Sequence, residues 1–293
     1  MNTLAETAPD AGDALAIHPR DFIAFDRNPV LGGVDLFRAR FVTRSTQAHA
    51  HSDFEIGVVG AGQRLVRCRG RSYQATSGCI VVFAPGEIHC GAPLDQTGST
   101  YQSFLVSPER LAATFGAGGP PRFDSPIIQD PALAERLARV HAALELGAWD
   151  TGKELELHDT LAQFTRRYGI AGSACEGRRE HEGVRQVRIH LETFFGNRIR
   201  LGPLATSVNL SVFQLIRLFR VATGLPPYAY LEQIRIDRAI TMLREGVPVS
   251  EVAFRTGFSD QSHLTRFFKR LTGVPPGRYR RSVERAAASP PLR

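Results

Sequence analysis

The sequence predicts an α+β multidomain chain in which a β-barrel or β-sandwich precedes helices and an all-α domain. Short apolar or alternating runs, such as FEIGVVG and GCIVVFAPG, fill residues 35–106 between Gly, Pro and polar turns, which is typical of small β-barrels. Apolar residues at helical spacing occupy residues 133–168. A duplicated helix–turn–helix pattern covers residues 204–279. A length of 293 residues leaves room for about two domains.

Two amphipathic helices are predicted directly after the strands, beyond the Gly- and Pro-rich break at residues 116–126. Both show apolar residues three or four positions apart, which places them on one helix face. The two apolar faces consist of Leu133, Leu137, Val140 and Leu144, and of Leu157, Leu161, Phe164 and Tyr168. This spacing predicts packing against the barrel or a dimer seam, and does not separate the two.

The C-terminal part contains an internal duplication. LIRLFRVATGLPPYAY (215–230) aligns with LTRFFKRLTGVPPGRY (264–279) at an offset of 49, with eight of sixteen positions identical. Upstream, LATSVNLS (204–211) aligns with VAFRTGFS (252–259) at an offset of 48. The second copy therefore has one extra residue in its turn.

Local signals mark the helix boundaries in both copies. A short first helix over residues 204–207 leads to a turn, where Asn209 and Gly257 tolerate a positive φ. The second helices are predicted to begin after the N-cap residues Ser211 and Ser259 and to end at Gly224 and Gly273. These boundaries predict two helix-turn-helix units.

Helical spacing gives each second helix a buried face and an exposed strip. The predicted buried faces are Leu215, Leu218, Phe219 and Ala222, and Leu264, Phe267, Phe268 and Leu271. The predicted exposed strips are Phe213, Ile216, Arg217 and Arg220, and Ser262, Thr265, Arg266 and Lys269. A polar and basic strip suits insertion into the DNA major groove, where Arg pairs with guanine and Lys meets phosphate.

Charge and the connecting segment support a nucleic-acid partner. Residues 176–293 hold 20 Lys and Arg against 10 Asp and Glu, a net of +10, whereas residues 1–175 hold 16 against 19, a net of −3. YLEQIRIDRAITMLREG (230–246) predicts one long helix between the copies, which would present two recognition helices about 34 Å apart along a duplex. Its predicted inward face is Leu231, Ile234, Ala239, Met242 and Leu243.

The run SVFQLIRLFRVATGLPPYAYLEQIRIDRAITML, followed by VSEVAFRTGFSDQSHLTRFFKRLTGVPPGRYR, closely resembles the DNA-binding domain of AraC/XylS transcription regulators. The resemblance implies double-stranded DNA and RNA polymerase as partners, and a homodimer is also expected. Ile216 departs from the family pattern, in which that position is often polar. The base-reading positions that it implies are Phe213, Gln214, Ile216, Arg217, Gln261, Ser262, Thr265 and Arg266.

The N-terminal half is similar to the cupin-type effector domain of many such regulators. HAHSDFEIGVVGAG, beginning at His49, matches the first cupin motif, and GCIVVFAPGEIH, ending at His89, resembles the second, with its proline directly before Gly86. This resemblance implies a cupin-like β-barrel. It places His49, His51, Glu55 and His89 at the positions that bind metal in cupin enzymes.

Three interpretations of these four residues stay open. They hydrogen-bond a small-molecule effector in a metal-free pocket, whose apolar wall is formed by Phe54, Phe83 and Tyr101. Alternatively they hold a divalent metal such as Fe, Mn, Ni or Zn, or they are structural histidines of the barrel core. The sequence thus favours a non-enzymatic, effector-controlled transcription regulator, with a metal-dependent cupin oxygenase or isomerase fused to a DNA-binding domain, or a metal-sensing regulator, as alternatives.

Domain limits and compartment complete the prediction. The first twenty residues lack a secretory signal, and an apolar run long enough to span a membrane is missing, so we expect a cytoplasmic protein. Four cysteines without a CxxC pair are expected to be reduced, namely Cys68, Cys79, Cys90 and Cys175. The predicted segments are a flexible tail (1–20), an effector-binding domain (21–122), a helical linker or dimerisation segment (123–170), a linker (171–183), a double helix-turn-helix domain (184–283) and a tail (284–293).

Overall fold

The alternating and β-branched runs of the N-terminal half form strands that all pair antiparallel. A computed structural model describes residues 21–27, 34–116, 119–146, 150–171 and 181–281. The strands in this part of the chain are β1 (Phe22–Arg27), β2 (Val34–Phe41), β3 (Phe54–Cys68), β4 (Arg71–Thr76), β5 (Cys79–Phe83), β6 (His89–Pro93), β7 (Ser99–Val106) and β8 (Ile127–Gln129).

Strand β3 connects the two layers of the barrel because it is 15 residues long and bends near its middle. Its first half pairs with β5 and β7, and its second half pairs with β4 and β6. The register shifts between Val59 and Ala61, and Gly62 follows with a φ of 73°. A bulge and a glycine at this point curl the sheet around an interior. The predicted α+β class with an N-terminal cupin-like barrel is confirmed.

Helices cover one outer face of this barrel. They are α1 (Pro108–Phe115), α2 (Pro131–Glu145) and α3 (Thr151–Tyr168). The predicted apolar faces of α2 and α3 are buried, except for the half-buried Tyr168, and they share a core with strand residues such as Ile56 and Phe104. These two faces therefore pack on the barrel, and neither remains available as the dimer seam that the spacing also allowed.

The C-terminal part consists of helices around two smaller cores. The helices are α4 (Glu182–Thr193), α5 (Leu201–Ser207), α6 (Val212–Thr223), α7 (Pro227–Arg244), α8 (Val249–Arg255) and α9 (Gln261–Thr272). The pairs α5–α6 and α8–α9 form the two predicted helix-turn-helix units, and the 18-residue α7 connects them. Asn209 and Gly257 lie at the turns with φ of 55° and 78°, as predicted.

Three details of these units differ from the prediction. Helix α5 begins at Leu201 instead of residue 204, and Ala222 is exposed instead of buried. The N-cap of α9 is Asp260, whose side chain accepts a hydrogen bond from the His263 amide, and not Ser259. Ser211 caps α6 as predicted.

Several predictions fall partly or wholly outside the described residues. The two tails, most of the linker at 171–183 and Cys175 lie there. Cys68, Cys79 and Cys90 are free thiols, and burial raises the pKa of Cys90, which does not suit a reactive redox sensor. No helix in the described part of the chain is long and apolar enough to cross a membrane.

Candidate functional site

Three histidine rings meet inside the barrel. His49 and His89 exchange two backbone hydrogen bonds, of 3.0 and 2.9 Å, in an isolated bridge. Their ring centroids are 4.4 Å apart, and that of His51 lies 4.9 Å from that of His89. The segment that carries His49 and His51 is not a regular strand, so the bridge to His89 gathers the rings.

Glu55 lies at the centre of this cluster. Its Oε2 is 3.1 Å from His51 Nε2 and 3.5 Å from His89 Nε2, and its Oε1 accepts a hydrogen bond of 2.9 Å from Ser103 Oγ. The Nδ1 atoms of His51 and His89 lie 2.7 and 2.8 Å from the backbone oxygens of Asp53 and Glu87. These contacts orient each ring so that its Nε2 points toward the carboxylate of Glu55.

Burial and pairing shift the pKa values in the cluster in opposite directions. Burial would raise the pKa of Glu55, but the hydrogen bond from His51 and the closeness of His89 hold it well below its ordinary value. Burial opposes the charge of His51, yet the bond to Glu55 raises its pKa. Burial and the neighbouring rings lower the pKa of His49 to about 3. Glu55 therefore forms an ion pair with His51, and the neighbouring rings of His49 and His89 are neutral.

The donor set fits a divalent metal. The ligand atoms of His51, Glu55 and His89 all lie within 4.8 Å of one another. Backbone acceptors fix both Nδ1 atoms, as in known metal sites, and His89 Nε2 has no well-aligned hydrogen-bond partner among the described residues. His49, the fourth predicted ligand, is outside this group, and its Nδ1 contacts the oxygen of Gln47 at 2.7 Å.

A cavity with about 1080 Å³ of empty space, part of it open to solvent, adjoins the cluster. Phe83 lies on its wall and stacks on His89 with ring centroids 3.7 Å apart. Tyr101 also lines the cavity, as predicted. Phe54 does not: its ring packs on Phe123 in the core beneath α2 and α3. The prediction for Phe54 is wrong because neighbouring residues of a strand point to opposite faces, and Glu55 takes the inner one.

The far wall of the cavity comes from the helical part of the chain. Helix α7 contributes Gln233, Ile236, Asp237, Ile240 and Arg244, and the end of α9 contributes residues 270–273. Neither these residues nor the cavity-lining Arg64 were predicted from the sequence. The signal was present for α7, because positions 233, 237 and 244 repeat at helical spacing and place polar groups on one face.

Polar contacts fasten the helices to the barrel around this cavity. The Ala50 amide donates to Gln233 Oε1 at 3.3 Å, and Arg44 Nη2 donates to the Lys269 oxygen at 3.3 Å. Arg244 forms ion pairs with Asp35 and Asp53 of the barrel. The cavity is therefore shared by both parts of the chain.

The second helices of the two units present their predicted strips to solvent. Phe213 is 76% exposed, an unusual state for an aromatic side chain, and Arg217, Arg220 and Arg266 form no ion pair with any described residue. Gln261 and Ser262 are exposed, whereas Ile216, Thr265 and Lys269 are half-buried. Gln214 behaves differently: its Oε1 accepts from the Ser211 amide at 2.9 Å and completes a capping box.

Comparisons with known proteins agree with both parts of this architecture. Residues 31–164 match the family model described as an AraC-like ligand binding domain, and residues 204–282 match that of a helix-turn-helix domain. The chain belongs to the AraC family of transcription regulators. This AraC-family chain is a DNA-binding transcription regulator with an N-terminal effector-binding domain.

Individual relatives of this AraC-family regulator match along most of their length. The uncharacterized HTH-type transcriptional regulator YbfI of Bacillus subtilis is 27% identical over 235 residues, covering 79% of this chain and 86% of the relative. The arabinose operon regulatory protein of Escherichia coli is 25% identical over 285 residues, covering 88% and 94%. The crystal structure of ToxT from Vibrio cholerae has the same fold, with a TM-score of 0.51 at 11% identity, covering 89% and 98%.

Proposed function

We propose that a small-molecule effector binds in the cavity between the barrel and α7, and that this binding controls how the two recognition helices sit on DNA. The observation that carries the proposal is the composition of the cavity wall, which combines the histidine cluster with Gln233 and Asp237 of α7. A ligand at that place contacts both parts of the chain directly. It stabilises one arrangement over another only if it binds the two unequally.

Base contacts are assigned to the exposed strips of α6 and α9. Phe213, Ile216 and Arg217 would contact bases from α6, and Ser262, Thr265 and Arg266 from α9. Gln261 lies at the start of α9, where major-groove contacts concentrate. Arg220 and Lys269, farther along each helix, suit phosphate contacts. We assign Gln214 a smaller role, because its side chain is engaged by the helix N-terminus.

The remaining predictions follow from a regulator of this kind. We infer that it acts in the cytoplasm on chromosomal promoters, works as an activator through RNA polymerase, functions as a homodimer and has no enzymatic activity. A metal in the cluster is the second candidate, since His51, Glu55 and His89 fit one. Such a metal would supply a Lewis-acid anchor for an effector oxygen.

Genome-wide footprinting of the full chain, followed by affinity measurements on the recovered operator, tests DNA recognition. Arg266→Ala should weaken binding to the operator by about 1–3 kcal/mol and relax the preference at one base pair. Arg166→Ala is the matched control, because that exposed arginine on α3 carries the same charge far from the strips. Equal losses for both variants, or an equal loss for Arg266→Ala on random DNA, would contradict base readout.

The cavity is tested in the same system. The double variant His49→Ala and His89→Ala should abolish regulated transcription from the recovered promoter while it keeps the DNA affinity of the effector-free protein. Loss of folding would instead make the histidines structural. Metal content, measured on the purified protein and on His51→Ala, separates the two candidates: a stoichiometric metal that disappears in the variant would support the metal site.

A further inference from the structure

Arg64 is a buried cation in the cavity wall that lacks a carboxylate partner. It lies on β3 and only 5% of its surface is exposed. Among the described residues its one hydrogen-bond acceptor is Ser99 Oγ, at 3.2 Å from Nη1. No carboxylate in that part of the chain comes within ion-pair distance, although Glu55 acts on it from farther away. A buried guanidinium ordinarily pairs with an acid.

The surroundings of Arg64 are built to hold its guanidinium in the cavity. Its Cζ lies 4.5 Å from the ring centroid of Phe41 and 5.2 Å from that of Tyr101. Gly91 on the neighbouring β6 makes the space, since a Cβ there would lie 2.7 Å from Arg64 Nη2. The flat faces of these two rings orient the planar guanidinium group of Arg64 without neutralising its positive charge.

A second unsatisfied polar group lies next to Arg64. The hydroxyl of Tyr101 is buried near Glu55 and Ser103, but it has no well-aligned hydrogen-bond partner among the described residues. It is seated over Gly57, where a Cβ would collide with it. Buried polar atoms without partners are rare in native proteins and indicate a missing ligand or water. Here the Tyr101 ring, whose centroid lies 5.2 Å from Arg64 Cζ, belongs to the same wall as that cation.

We propose that the effector is an organic carboxylate with an apolar or aromatic body, whose carboxylate group is bound by Arg64 and Tyr101. The proposal rests on the proposed function, because it names the ligand class of the same cavity. Arginine presents a planar fork that matches a carboxylate with two parallel hydrogen bonds. Phe37, Phe83 and Ile240 offer apolar surface for the body.

The test measures binding of matched probes to the full-length protein by isothermal titration calorimetry. The probes are phenylacetate and benzoate, their neutral amides phenylacetamide and benzamide, and the neutral sugar arabinose. Each carboxylate should bind at least about tenfold more tightly than its amide. Arg64→Gln should remove this preference, and Arg64→Lys should keep part of it. Arg67→Gln is the matched control, because Arg67 lies on the same strand but is exposed outside the cavity.

Thermal unfolding without ligand separates a binding role from a structural one. A cation kept for a ligand should not be needed for folding, so Arg64→Met should melt no lower than the wild type. A large fall in its melting temperature would make Arg64 structural. Binding of arabinose or the amides as tight as that of the carboxylates, or no binding of any carboxylate, would also overturn the proposal. Either result leaves DNA binding and effector control untouched, since the operator measurements test those separately.

Discussion

His141 is one of the buried histidines that make the stability of this protein depend on pH. His141 of α2 is 1% exposed; its Nε2 donates to the Phe37 oxygen at 3.1 Å, and its Nδ1 has no hydrogen-bond partner among the described residues. Burial lowers its pKa from 6.5 to about 4, against the opposing effect of that hydrogen bond. In the unfolded chain His141 therefore binds a proton below about pH 6.5. In the folded protein the same side chain stays neutral down to about pH 4.

Acid therefore favours the unfolded state over this pH range, so the free energy of unfolding falls as the pH is lowered. Stability should fall by about 2 kcal/mol between neutral pH and about pH 5 through this residue alone. His141→Gln keeps a donor for the Phe37 oxygen and removes the titration, so its melting temperature should fall less over the same range. Melting curves at several pH values provide the measurement, with the exposed His158→Gln as control. Parallel pH profiles for all three proteins would rule out His141 as the cause.

Individual pocket residues could be predicted where a sequence motif fixes their spacing. They could not be predicted where the direction or burial of a side chain depends on the three-dimensional fold. The two cupin-like motifs identified His51, Glu55 and His89, which the structure brings together. Phe54 was assigned to the same pocket as Glu55, although adjacent strand residues point to opposite faces. Arg64 carried no sequence signal, because burial of an arginine depends on neighbours from other strands.

The turn of the second helix-turn-helix unit shows how an element boundary depends on one residue. Helices α5 and α8 align at an offset of 48 residues, whereas α6 and α9 align at 49. The extra residue lies in the turn, as the sequence indicated, and it shifts the N-cap from Ser259 to Asp260. Asp260 is therefore the N-cap equivalent to Ser211. The alignment of identical residues pairs Ser211 with Ser259 and so predicts the wrong cap.

Removal of the Asp260 cap should loosen the start of α9. Asp260→Ala loses the acceptor for the His263 amide, 2.8 Å away, and should destabilise the helix by about 1 kcal/mol. Ser259→Ala should cost less, because its hydroxyl bonds side chains and not the helix amides. Amide hydrogen exchange in the first turn of α9 reports the difference, and faster exchange in Ser259→Ala than in Asp260→Ala would restore the original assignment. Weaker operator binding by Asp260→Ala should accompany the loosening.

At the scale of the whole molecule, the fold of each part was predictable from periodicity and duplication, but their common cavity was not. Periodicity reports which residues face a core within one element. The cavity depends instead on how α7 sits against the barrel, which is set by scattered polar contacts such as Ala50 with Gln233. Contacts of this kind join residues about 200 positions apart and leave no local pattern in the sequence.

Arg244 makes several of these contacts between the helices and the barrel. Its removal should separate the two parts of the chain. It pairs with Asp35, lies 3.5 Å from Asp53, and donates from Nε to the Tyr279 hydroxyl at 3.1 Å. Burial opposes its charge, but the two carboxylates and Tyr279 raise its pKa. Loss of the cation removes the ion pair between Arg244 and Asp35, and Asp35 is only 5% exposed.

We expect Arg244→Gln to weaken docking of the helices on the barrel by about 2–4 kcal/mol, because it removes an ion pair of a buried carboxylate. The variant should show a larger radius of gyration in solution scattering and a lower melting temperature. Adding Asp35→Asn should recover part of the stability, since the remaining buried charge is then removed and the two losses are not additive. Arg238→Gln is the control, an exposed arginine on the same helix α7. If Arg244→Gln and Arg238→Gln scatter and melt alike, Arg244 does not hold the two parts together.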